Sequence, residues 1–110
     1  MFDAGGPRRV PRAEWSPVPR PGSANVASRL LMAEAGLALA LLKFDPEGTI
    51  DEHAAGHEID VFCLEGEGFI SIEHRVCAFL SGDTLRWPAG RVHRLWTGDK
   101  AMITLMVEHL

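Results

Sequence analysis

The stretch "GDTLRWPAGRVH", residues 82–93, decides how this chain reads. Gly82-Asp83 is turn chemistry, and Thr84 to Trp87 is β-branched or bulky enough for a short strand. Pro88 and Gly90 then force a second tight turn, because one fixes φ and the other permits φ > 0. His93 is delivered at the start of the next strand, "VHRLWT". A plain hairpin needs no histidine there, so the pattern points to a site.

Outward from this stretch, every signal after Asp45 is strand or turn. "DPEG" reads as a turn, "TIDEH" as a short strand and "AAGH" as a turn built on Gly56. "EIDVFCLE" and "FISIEH" read as strands separated by a "GEG" turn, and "RVCAFL" and "AMITLMVEH" as two more. Short strands spaced about 8–12 residues apart, each bounded by Gly, Pro or Asp, predict an all-β sandwich or barrel. Residues 26–44, "VASRLLMAEAGLALALLKF", favour helix by propensity alone. Gly36 would interrupt that helix. Leu37, Leu39 and Leu41 alternate with Ala38 and Ala40 at period two, one bulky face against one small face. With strands downstream that need partners, the segment is expected as two strands, Arg29–Ala35 and Leu37–Phe44.

One hundred and ten residues, 46% of them hydrophobic, make one domain able to bury a core without a metal or disulfide staple. Residues 1–25 hold Pro7, Pro11, Pro17, Pro19 and Pro21 and are expected as an extended arm, with a short strand near Ala13–Trp15 and Trp15 anchoring it. Residues 26–110 are then the barrel domain. The longest uncharged run, Ala35 to Leu42, is far shorter than the ~20 residues a membrane span needs. The net charge of −4 makes no case for nucleic acid.

Charge is unevenly placed. Residues 45–73 carry nine acids and no Lys or Arg, while residues 1–29 carry five arginines against Asp3 and Glu14. A solvated acidic face, a cation site, or a surface for the other subunit's arm would each use that asymmetry, and a homodimer is expected. "MFDAGGPRRVPRAEW" has no secretory h-region, so Cys63 and Cys77 are expected as buried thiols and the location as cytoplasmic.

Gly82, Pro88, Gly90 and His93 resemble the second motif of the cupin superfamily without a gap. "EHAAGHEIDVFCLEGEG" is similar to the first motif, supplying His53 and the Glu65-Gly66-Glu67-Gly68 ending. The resemblance covers roughly residues 30–108. It implies an antiparallel jelly-roll barrel, the double-stranded β-helix, and in metal-binding members four ligands. Two of those positions depart from the pattern: the second histidine falls on Ala55 and the acidic ligand on Ile59.

The candidate metal ligands are therefore His53 and His93, joined by His57 or Glu58. A straight strand would hold residues 53 and 57 about 13 Å apart, but a turn at Gly56 could fold His57 back, and a bulge could bring Glu58 in. Such a set would suit a divalent ion: iron, manganese, nickel or zinc. If Ile59 faces the barrel interior, as its place in the motif implies, strand alternation turns Val61 and Cys63 inward too and Glu58 and Asp60 outward. With Ile59, Cys63 and Trp87 on the wall, the cup could hold a small organic molecule, and Arg91 or Arg94 could meet a carboxylate. Two functions follow from the resemblance: a metal-dependent small-molecule enzyme of oxygenase or isomerase type, or a non-catalytic small-ligand-binding or sensor protein that has lost its metal.

Overall fold

The computed structural model describes residues 5–110, so Asp3 of the arm lies outside the described residues. It is all-β among them: β1 (Ser16–Pro17), β2 (Ser23–Glu34), β3 (Leu37–Ala54), β4 (Glu58–Ile72), β5 (Arg75–Leu80), β6 (Thr84–Trp87), β7 (Val92–Trp96) and β8 (Met102–His109). Residues 26–44 form strands despite their helical propensity. β2 and β3 make a hairpin at Ala35-Gly36, because β3 is paired on both sides and tertiary pairing outweighs local preference.

Two strands close the barrel. The first part of β3 pairs with β8 and its last part with β7, and β4 divides itself between the same two neighbours. All of these pairings are antiparallel, as a jelly roll requires. The expected turns at "DPEG" and "GEG" are corners inside continuous strands. At the first, Glu47 takes φ 59° and Thr97 pins the bend, its hydroxyl donating to Asp45 O at 2.7 Å and accepting from Gly48 N at 2.8 Å. At the second, Gly66 has φ 76°, and a Cβ there would stand 2.0 Å from the Ala101 carbonyl oxygen. Strand "FISIEH" ends earlier than expected, at Ile72, and Glu73-His74 form the tight turn into β5, both with positive φ.

The core runs through Leu42, Phe44, Ile59, Val61, Ile70, Phe79, Leu95 and Met102. On β3 it is the even-numbered face that turns inward: Ala38, Leu42 and Phe44 are buried, while Leu39 and Leu41 are half-buried on the outside. Small inward residues leave room inside the barrel. The arm's strand lies at Ser16–Pro17, just beyond the expected Ala13–Trp15, and pairs with β2 of its own chain. Trp15 anchors it, with Arg29 at 4.7 Å and Lys43 at 4.8 Å from its ring. Arg8 forms an ion pair with Glu34, so this part of the arm's charge is met by its own domain.

Five of the nine acids in residues 45–73 are likewise answered from within. Asp51, Glu52, Glu58, Asp60 and Glu73 pair with Arg94, His74, Arg86, His109 and Arg91, all from the C-terminal part of the chain. The forked hydrogen bonds of Arg86, aided by His109, hold the Asp60 carboxyl well below the usual carboxylate range. Both cysteines are free thiols. Cys63 is buried as expected, whereas Cys77, on the edge strand β5, is exposed.

Candidate functional site

The β3–β7 register sets His53 directly opposite His93. Their Nε2 atoms lie 3.2 Å apart and their rings meet edge to face. Trp87 completes the cluster, stacked on His93 with ring centroids 3.8 Å apart and planes 8° from parallel. The opening motif thus supplies both members of that stack: "TLRW" ends on Trp87, and the Pro88–Gly90 turn returns the chain so that His93 lies over it.

The two histidines are not equivalent. His53 is half-buried and lines a partly open cavity of about 390 Å³. His93 is 1% exposed and lies outside the cavity lining. Burial, with a smaller contribution from the neighbouring His53 charge, pushes the His93 pKa down to about 4. The Arg91 backbone offsets part of this shift without completing a hydrogen bond to Nδ1. The tautomers follow from the partners. His53 Nδ1 lies 2.9 Å from the Asp51 carbonyl, which can only accept, so Nδ1 carries the proton. With both rings neutral, the His53 Nε2 lone pair then accepts from His93 Nε2–H.

The other expected site residues separate. Ile59 and Trp87 line the cavity, as do Ala55 and His57. His57 Nε2, however, is 3.1 Å from Glu108 Oε1 and turns to that partner. Glu58 is not brought to the histidines: alternation puts it on the outer face, where it meets Arg86 at 3.4 Å. Cys63 does not line the cavity either. It sits in the core beside the Gly66 corner, its thiol 3.7 Å from the carbonyls of Glu65 and Gly66. Arg91 and Arg94 are engaged elsewhere, with Glu73 and with Thr49 and Trp96.

A tightly bound first-row ion takes three or four protein donors about 2.0–2.3 Å away. Two imidazole nitrogens 3.2 Å apart could span two corners of such a shell. Ala55 and Ile59 occupy the positions where the motif would place further donors, and neither carries one. Among the described residues, no group of three or more His, Cys, Asp or Glu side chains is gathered to hold a metal. The donor set does not fit a resident metal.

Sequence reasoning missed one lining residue. Arg20, from the proline-rich arm, reaches the cavity together with Val18. The alternation Pro17-Val18-Pro19-Arg20-Pro21 could have suggested it, since each residue before a proline is held extended and residues two apart then share a side.

No protein-family model and no curated protein matches the sequence. The backbone is similar to that of the polyketide cyclase RemF from Streptomyces resistomycificus, with a TM-score of 0.83 and 22% identity, covering 94% of this chain and 80% of that one. It is also similar to a cupin-2 domain protein from Rhodospirillum rubrum, with a TM-score of 0.80 and 17% identity over 94% and 74% of the two chains. A third likeness is to a predicted oxalate decarboxylase from Thermotoga maritima, with a TM-score of 0.74 and 21% identity over 81% and 84%.

Proposed function

The chain has the fold of the cupin superfamily, and from that premise we propose that its barrel is a metal-independent receptacle for a small organic molecule. The observation that supports this most directly is the composition of the cavity wall. Ala40, Leu42, Ile50, Ile59, Met106 and Trp87 are apolar, and the few polar groups are His53, His57, Glu108, Arg20 and Ser28. A largely apolar wall with a few polar groups is the usual make-up of a small-ligand site, and about 390 Å³ is enough for one. In this reading His93 and Trp87 fix the His53 ring, and His53 is the histidine that meets the ligand.

Titration with neutral aromatic probes such as 2-naphthamide, followed by amide-proton NMR, tests the reading. Shifts concentrated at Ala40, Ile59 and Trp87 are expected, and their loss on filling the cavity with Ala40→Leu. Shifts scattered over the outer surface would count against it.

The metal-dependent oxygenase or isomerase reading rests on the juxtaposed Nε2 atoms and needs His57 to leave Glu108. Stoichiometric metal in protein purified without chelator, lost in both His53→Ala and His93→Ala, would favour it. For assembly, a homodimer is proposed on the half-buried apolar outer positions Leu41, Phe62 and Leu105, which are register neighbours across β3, β8 and β4. Sedimentation of a clean monomer near 12 kDa would remove it.

A further inference from the structure

The cavity rim carries an exposed arginine that no described residue answers. Arg20 lines the cavity, and its guanidinium has no ion pair or hydrogen bond among the described residues. The acid on the cavity lining, Glu108, is paired with His57 at 3.1 Å. Arg91 and Arg94, the arginines adjacent to His93 in sequence, are committed to Glu73 and to Thr49 and Asp51.

The Arg20 backbone is also held in place. Ser16, Val18 and Arg20 each precede a proline, which disfavours helical backbone at all three and keeps the segment extended. The segment is tied at both ends: Val18 N–H donates to Val26 O at 3.0 Å, and Ser23 N–H to Arg20 O at 3.1 Å. Just beyond, Gly22 packs on Asp51, where a Cβ would stand 2.9 Å from Oδ2. With the backbone fixed, only the Arg20 side chain has to be ordered when it meets a ligand.

We propose that Arg20 selects the ligand, and that the ligand is a small organic acid with its apolar body against Leu42, Ile59 and Met106 and its carboxylate on the Arg20 guanidinium. This rests on the reading of the cavity as a ligand receptacle. A carboxylate suits the geometry better than a phosphate. The planar fork of a single arginine matches two carboxylate oxygens, and one positive charge beside Glu108 would leave a dianion uncompensated.

The test compares acids with their neutral amides: benzoate with benzamide, 2-naphthoate with 2-naphthamide, and octanoate with octanamide. Affinities are measured by titration calorimetry and NMR on the full chain. In the parent, at least one acid is expected to bind tenfold or more tighter than its amide, with a preference that weakens as salt rises. In Arg20→Gln the acid-to-amide ratio is expected to fall to about one, the acid losing far more affinity than the amide. Arg20→Lys should keep part of the preference. In Pro19→Ala/Pro21→Ala, which retains the charge but loosens the strap, the ratio should fall to an intermediate value. Equal binding of acid and amide in the parent, or a preference that survives Arg20→Gln, would overturn the assignment of Arg20 and leave the receptacle standing. Failure of every acid and amide to bind at millimolar concentration would overturn both.

Discussion

His53 and His93 face each other across β3 and β7 with Nε2 atoms 3.2 Å apart, yet only His53 reaches the cavity. The strand register makes them neighbours. The Trp87 ring, stacked on His93, sets their different burial.

That asymmetry predicts unequal mutational costs. His93→Ala removes a buried ring from a stack and is expected to destabilise the fold by about 2–4 kcal/mol. His53→Ala, at a half-exposed position, should cost about 1 kcal/mol. Urea unfolding of the two variants checks the order. Equal losses would mean that the Trp87 stack contributes little.

The depressed pKa of His93 predicts an acid-sensitive window. Folded, the ring titrates near 4; unfolded, it titrates near its ordinary 6.5. Above pH 6.5 it is neutral in both states and adds no pH dependence. As pH falls from 6.5 towards 4 the unfolded chain binds the proton first, so stability declines, by up to about 3 kcal/mol in all. Asp60, whose pKa is also lowered, loses its contribution only below the ordinary carboxylate range. Unfolding free energies measured between pH 7 and 4 should therefore flatten in His93→Phe and keep their slope in Asp60→Asn.

Thr97 predicts the strength of the first corner. Its hydroxyl both donates to Asp45 O and accepts from Gly48 N while 3% exposed. Thr97→Val leaves both backbone groups without that partner and is expected to cost about 2–4 kcal/mol. Thr97→Ser, which keeps the hydroxyl, should cost less than about half as much. Comparable losses in the two variants would assign the effect to packing instead.

Gly66 predicts the second corner. Alanine there would meet the Ala101 carbonyl at 2.0 Å and would have to hold φ 76°. Gly66→Ala is expected to lower stability by at least about 3 kcal/mol or to prevent folding. Gly56→Ala, with open space around its Cβ position, is the control and should be nearly neutral.

Much of the barrel was legible. The Gly82 to His93 spacing, the period-two alternation of residues 58–63 and the turn residues each report on chain within a few positions. Other features were visible only as alternatives. Period two in residues 37–41 was readable, but hydrophobicity alone would have put the leucines inside, whereas the barrel turns the alanines in and opens a cavity. "DPEG" and "GEG" carry turn chemistry, yet at each the strand bends and continues with new partners.

By itself the sequence determined the strand-and-turn order, the shared face of Ile59, Val61 and Cys63, and the loop that presents His93, because these depend on backbone preferences over a few bonds. Only the tertiary structure decided that His53 meets His93, that His57 turns to Glu108, that Glu58 pairs with Arg86, and that Arg20 lines the cavity. Each joins residues dozens of positions apart. Their meeting is set by which strands pair and in what register when the barrel closes, and neighbouring residues along the chain do not encode that.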